Sequence, residues 1–258
     1  SFLKSHNYIL GRKLGEGGFR EAYEVLKSKG TLQKLFVAKV YFQKKKNSVL
    51  HRISQSKHLD QREIRILNGI NHPNIIQLYD LLEENGHSIT IEEHFDAISL
   101  EDKVRIQGPI MNQEYLKKIF SQAQEALRYL HINGEMLHRD LKPSNILIGR
   151  TTDLVKVADF ETAALLSEVE KKMLPTRGGT KYSHPNLINH LLAGYPNSAA
   201  DIATEFYALG VTLFYALTGK QPFEYELNIV DEGTPLQIGD EEVCIALEER
   251  GKKLTSIA

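Results

Sequence analysis

A single cysteine, Cys244, stands among 258 residues, so no internal disulfide can form. A bridge-stapled fold is thereby excluded, and a free structural thiol in a reducing, intracellular and cytoplasmic setting is expected. An excess of one charge sign is also lacking: 32 Lys and Arg face 33 Asp and Glu, a formal net charge of −1. No global field favours nucleic acid or a membrane surface as partner. The one compact basic cluster, Lys44-Lys45-Lys46, reads as a solvated loop. No apolar run is long enough to span a bilayer. The 10 histidines show neither an H-E-x-x-H pattern nor paired Cys/His spacing, so no structural metal is expected. Internal repeats and low-complexity tracts are missing too. The chain opens on Ser1-Phe2-Leu3-Lys4 without methionine or a signal-peptide pattern, as an excised segment would.

What remains is a globular composition, 41% hydrophobic and 25% charged, sufficient for one core or two coupled lobes. Short apolar runs alternating with glycine and charge predict strands at Tyr8 to Leu14, Ala22 to Leu26 and Leu35 to Phe42. Gln43 to Lys57 has no sustained period and reads as a loop. Asp60 to Ile70 places Ile64, Leu67 and Ile70 on one helical face, with Asp60 as N-cap. His72-Pro73-Asn74 ends that helix, because proline disfavours helical angles in the residue before it. A strand pair, Ile75 to Leu82 and Ser88 to Glu93, surrounds the turn Glu84-Asn85-Gly86. Further on, Leu116, Ile119, Phe120, Ala123, Leu127 and Leu130 form a helical stripe with one buried face. Phe206 to Leu217 is apolar on nearly every side and predicts a helix buried within a second, helical lobe. Glu241 to Arg250 forms one more candidate helix.

Gly15-Glu16-Gly17-Gly18-Phe19 falls between two predicted strands, where missing Cβ atoms let backbone amides approach phosphate oxygens. A plain hairpin turn explains the same residues. The strand that follows excludes the dinucleotide-binding and P-loop readings, which need a helix directly after the glycines. Lys39 lies in the apolar strand Val37-Ala38-Lys39-Val40, where its ammonium needs a nearby anion to offset lost hydration. Glu63 on the next helix is a candidate. A lysine snorkelling at a strand edge is the alternative.

Then comes His138-Arg139-Asp140-Leu141-Lys142-Pro143-Ser144-Asn145, followed by Ile146-Leu147-Ile148 and Val157-Ala158-Asp159-Phe160. With these segments the chain resembles the eukaryotic-type protein kinases from Tyr8 to Phe223, the motifs standing in family order. The resemblance implies an α+β, bilobal fold: a small antiparallel N-lobe with one helix over residues 1–93 and a mainly helical C-lobe over 94–258. It implies ATP bound with Mg²⁺ between the lobes and phosphoryl transfer to serine or threonine of protein substrates, the chain itself included, under a regulatory partner protein.

By resemblance, Asp140 orients the acceptor hydroxyl and takes its proton, and Lys142 offsets charge on the migrating phosphoryl group. Asn145 and Asp159 bind Mg²⁺, a hard cation suited to oxygen donors. Lys39 contacts the α- and β-phosphates and is positioned by Glu63. Gly15, Gly17, Gly18 and Phe19 cover the phosphates, and Ala38 and Leu147 sandwich the adenine. Backbone groups of Glu93 to Phe95 hydrogen-bond it, with Glu92 at the position gating the back of its pocket. His138, Phe160, Leu67 and Leu78 match a stack of packing residues. Lys142 after Asp140-Leu141, and Gly179-Thr180 before Tyr182, resemble serine/threonine rather than tyrosine kinases. Thr180 would bond Asp140 and Lys142, or serve as a turn residue. Arg139 would pair with phosphate on Ser167 or Thr176.

Departures from the pattern leave a second reading open, a nucleotide-binding pseudokinase acting as scaffold. Arg20 occupies the third glycine position and Ala22 the valine position. Glu161 replaces the glycine of D-F-G, and Asn186 the glutamate of A-P-E. Glu205 replaces the buried aspartate that ties the large helix to the catalytic loop, and the segment after Gln221-Pro222-Phe223 is short.

Overall fold

The computed structural model describes residues 2–17, 20–29, 32–41, 67, 69–84, 87–160, 162–167, 182–184, 187 and 201–221. The expected loop at 43–57, most of the helix at 60–70, the turn residues Asn85 and Gly86, the helix at 241–250 and Cys244 lie outside these residues. The chain divides into two compact units, Ser1–Ala97 and Ile98–Ala258.

The first unit is an antiparallel sheet in the order β1-β2-β3-β5-β4. Its strands are β1 (Tyr8–Gly17), β2 (Arg20–Lys29), β3 (Leu32–Tyr41), β4 (Leu78–Glu84) and β5 (His87–Glu93). A short helix, α1 (Phe2–Ser5), precedes them. Alternation along a strand sends successive side chains to opposite faces. One face of β3 therefore carries Phe36, Ala38 and Val40, which join Leu3, Tyr8, Val25, Leu82, Ile89 and Ile91 in an apolar cluster. The other face carries Val37 and Lys39, opposite Glu92 and Thr90 of β5. All the strands expected from the sequence are present, with β4 starting at Leu78 rather than Ile75. Ile75 and Ile76 are buried nonetheless.

In the second unit α2 (Leu100–Gln107) starts at Ser99, whose hydroxyl oxygen accepts the Asp102 N–H at 3.0 Å. The long helix α3 (Gln113–Asn133) is capped by Asn112 and buries the stripe expected of it, Leu116, Ile119, Phe120, Ala123, Leu127 and Leu130, with Ala126 and His131 added. Short strands flank these helices: β6 (Ala97–Ser99), β8 (Ile146–Gly149) and β9 (Val155–Val157) form one sheet, and β7 (Met136–Leu137) pairs with β10 (Ala164–Leu165). A single 3₁₀ turn spans Pro143–Asn145.

The last described helix, α4 (Ile202–Thr218), opens with a capping box between Asp201 and Thr204 and ends at Gly219 with φ 67°. The sequence suggests burial on nearly every side, but α4 buries one face, built from Thr204, Glu205, Ala208, Leu209, Val211, Thr212 and Ala216. Ile202, Phe206 and Leu217 are about two-fifths exposed, at 40%, 39% and 40%. Apolar composition sets what a helix can bury, while its 3.6-residue period fixes which residues face a neighbour. Among the described residues no helix is long and apolar enough to cross a membrane.

Candidate active site

The loop from His138 to Lys142 leaves β7 and enters the 3₁₀ turn at Pro143. At its centre the Lys142 ammonium donates to Asp140 Oδ2 at 2.6 Å. Asn145 closes the turn from the other side: its Nδ2 donates to the Asp140 carbonyl at 2.7 Å and reaches Asp140 Oδ2 at 3.3 Å. With Nδ2 committed to donation, Oδ1 remains as the amide's acceptor.

Asp159 is brought beside this turn by the pairing of β8 with β9. Ile146 faces Val157, and Ala158 N–H donates to the Asn145 carbonyl at 2.9 Å, one residue short of Asp159. Asp159 itself has φ 75°, a left-handed conformation that aspartate tolerates better than most residues. Both Asn145 and Asp159 are buried, 4% and 8% exposed.

His138 fastens the loop from behind. Its Nε2 lies 3.0 Å from the Ala158 carbonyl, an acceptor, so Nε2 carries the proton; Nδ1 then accepts the Asp140 N–H at 3.3 Å. The His138 ring packs on Phe160 at 4.8 Å between centroids, and Thr162 donates its hydroxyl to the His138 carbonyl at 3.0 Å. His138 is thus a fully buried packing and hydrogen-bonding residue, as the sequence suggests.

Arg139 has φ 67°, costly for a residue with Cβ. The strain is held by Glu205 of α4, whose Oε1 accepts the Arg139 backbone N–H at 2.6 Å while Oε2 lies 2.6 Å from His131 Nε2 on α3. The substitution of glutamate for the expected aspartate therefore leaves the tie to the loop intact, and His131 is a partner that sequence reasoning missed. Ser167 is exposed; Thr176, Thr180, Glu161 and Asn186 lie outside the described residues.

In the first unit Gly15 and Gly17 sit on β1, and a Cβ at Gly15 would meet nothing within 4 Å. Ala38 and Lys39 sit on β3, both buried. Glu93 ends β5, with its N–H donated to the Gln77 carbonyl at 2.8 Å, so that donor is not available to a ligand. Phe95 follows in irregular backbone. Gly18, Phe19 and Glu63 lie outside the described residues. Among those described, Glu92 places a carboxylate oxygen 2.7 Å from the Lys39 ammonium. Two residues along the neighbouring strand is a register relationship, which no local sequence signal announces.

Among the described residues no group of three or more His, Cys, Asp or Glu side chains could hold a metal ion alone. Asn145 directly precedes β8 and Asp159 follows the end of β9 by two residues, and they offer a buried amide oxygen and a carboxylate. That donor set fits Mg²⁺, which commonly takes one or two protein oxygens and completes its shell with water and substrate phosphate.

An antiparallel sheet bearing a buried lysine, followed by a helical unit whose Asp-Leu-Lys-Pro-Ser-Asn loop is pinned to its large helix, defines a kinase-type α+β architecture. The chain belongs to the protein kinase domain family, whose family model matches residues 8–243. It is 35% identical over 167 residues to the serine/threonine-protein kinase GIN4 of Saccharomyces cerevisiae, covering 64% of this chain and 14% of that protein. It is 31% identical over 232 residues to CBL-interacting protein kinase 21 of Oryza sativa, covering 88% and 41%. To the probable serine/threonine-protein kinase PknB of Lactococcus lactis it is 30% identical over 198 residues, covering 76% and 28%. The chain thus spans less than half the length of these relatives.

Proposed function

We propose that the chain transfers the γ-phosphoryl group of ATP to serine or threonine hydroxyls of proteins. The observation that carries this reading is the Asp140, Lys142 and Asn145 cluster, closed by contacts of 2.6 and 2.7 Å on a loop held by His138 and Glu205. Asp140 orients the acceptor hydroxyl and receives its proton as the oxygen bonds to the γ-phosphorus; the bond to the β–γ bridging oxygen breaks and ADP leaves. Lys142 offsets charge on the migrating group. Lys39, assisted by Glu63, contacts the α- and β-phosphates, and the backbone around Gly15, Gly17, Gly18 and Phe19 covers them. Ala38, Leu147 and backbone groups between Glu93 and Phe95 take the adenine. Asn145 and Asp159 would hold Mg²⁺, which neutralises phosphate charge when bound. Because the transition state is loose and charge-spread, positioning and electrostatics of this kind supply most of the catalysis.

Support for serine and threonine as acceptors comes from Lys142 after Asp140-Leu141 and from the relatives' names. Several relatives are named for interaction with CBL, and a regulatory protein partner is part of the proposal. The test is transfer of labelled γ-phosphate to a basic protein substrate and to the chain itself, with and without Mg²⁺, followed by phosphoamino-acid analysis. Metal-dependent phosphoserine or phosphothreonine is expected. Nucleotide binding with no transfer under any condition would replace this reading with that of a scaffold.

A further inference from the structure

The face of the first sheet that points away from the apolar cluster carries a small charged assembly. Lys39 lies opposite Thr90 and Val37 opposite Glu92, so Lys39 and Glu92 are diagonal neighbours on adjacent strands. Their side chains are 11% and 13% exposed, with Nζ 2.7 Å from Oε2. Glu92 Oε1 accepts the Thr90 hydroxyl at 3.1 Å, and Thr90 is 3% exposed. Both carriers are central strands, so the carboxylate is held at the ammonium by the sheet itself, not by a movable element.

An ammonium largely shielded from water attracts any anion that reaches it, and two anions at one ammonium also repel each other. We propose that Glu92 is an internal competitor for nucleotide phosphate at Lys39: it occupies the ammonium in the nucleotide-free protein and thereby sets how tightly phosphorylated nucleotides bind. The inference rests on Lys39 being the phosphate-contacting residue. Lys39 has three N–H donors and can share them, but the charge of Glu92 cannot leave β5. A phosphate bound at Lys39 Nζ in the described arrangement would lie beside the Glu92 carboxylate, 2.7 Å from that nitrogen. A neutral residue at position 92 removes that repulsion and leaves the ammonium with less compensation in the free protein, and both effects favour phosphate binding.

Titration calorimetry of the full chain with MgADP and with adenosine tests this. Glu92→Gln keeps the side-chain volume and an acceptor for Thr90 while removing the charge; MgADP affinity is expected to rise about tenfold, the scale of one close charge in a partly desolvated site. Adenosine, which has no phosphate, should gain several-fold less than MgADP, even with position 92 bordering the adenine. Glu92→Asp draws the carboxylate back by one methylene and should shift MgADP the same way by less, so the test survives if the glutamine variant does not fold. Wild-type binding of MgADP with no gain in either variant, or a gain shared equally by adenosine, overturns the competitor role alone. If neither wild type nor variants bind MgADP, the phosphate-contacting role of Lys39 falls and the competitor role with it.

Discussion

Glu205 accepts the backbone N–H of Arg139 at 2.6 Å across 66 residues of chain, and both groups are buried. The contact fixes a left-handed residue immediately before Asp140, so the Asp140 loop is shaped from α4. Removing the carboxylate leaves that N–H and His131 without this acceptor in a site closed to water. Glu205→Ala is therefore expected to lower stability by about 2–4 kcal/mol, seen as a shift in urea midpoint. Glu205→Gln should lose less, because an amide oxygen can still accept from Arg139. Equal midpoints for wild type and the alanine variant would show that the loop holds its shape without α4.

The aim of Glu205 depends in turn on how α4 begins. Asp201 Oδ1 accepts the Thr204 N–H at 2.8 Å, and the Thr204 hydroxyl accepts the Asp201 N–H at 3.1 Å. Asp201→Ala is expected to cost about 1 kcal/mol, a typical N-cap loss. Since Glu205 sits in the first turn, directly after Thr204, the two substitutions should not add. A double-mutant cycle in urea is expected to give a coupling of at least ~0.5 kcal/mol; strict additivity would mean that the cap and the tie act independently.

Strand positions in the first unit were legible because alternation and glycine turns are local signals, and the α3 stripe because its period is regular. Asp140, Lys142, Asn145 and Asp159 were legible as a run of residue types, and β8–β9 pairing explains why that run converges. What was not legible is long-range. Glu205 reads as a departure when residue identities are compared, yet one extra methylene still reaches Arg139. Glu92 stands in a strand whose neighbours Ile89 and Ile91 announce only a sheet; its meeting with Lys39 depends on register between β3 and β5. Partial exposure of Phe206 was likewise invisible to composition.

Asp140 and Asp159 are both assigned to the proposed phosphoryl transfer but make different predictions. Asp140→Asn removes the proposed proton acceptor, while the Asn145 bond to the residue 140 carbonyl is a backbone contact and survives. The maximal transfer rate should fall at least ~100-fold, the ordinary range for a lost general base. MgADP affinity should stay within about twofold, since the group faces the acceptor side in the proposed mechanism. Asp159→Asn, by contrast, should weaken metal-dependent nucleotide binding itself. Single-turnover transfer and equilibrium binding, measured together, separate the two, and wild-type transfer by Asp140→Asn would remove it from the mechanism.

Tyr182 carries a prediction for alkaline pH. It is 6% exposed and packs edge-on against Tyr215 at 6.3 Å between centroids. Burial disfavours the phenolate and pushes the Tyr182 hydroxyl up to about 12; Gln221, 3.5 Å away, opposes this weakly. An unfolded tyrosine ionises near ~10. Between those values the unfolded chain releases a proton that the folded chain keeps, so stability falls as pH rises. Below the unfolded value the group contributes nothing to the pH dependence, and above the folded value its loss is complete, at roughly 2–3 kcal/mol. Burial also raises Tyr215, so Tyr182→Phe should reduce the alkaline decline without abolishing it. Urea midpoints of both proteins across the alkaline range provide the measurement. The curves should agree at neutral pH apart from a constant offset and diverge above the unfolded tyrosine value, with the phenylalanine variant the flatter. Parallel curves throughout would mean that Tyr182 ionises as readily in the folded chain as in the unfolded one, and that its burial gives way before the phenol titrates.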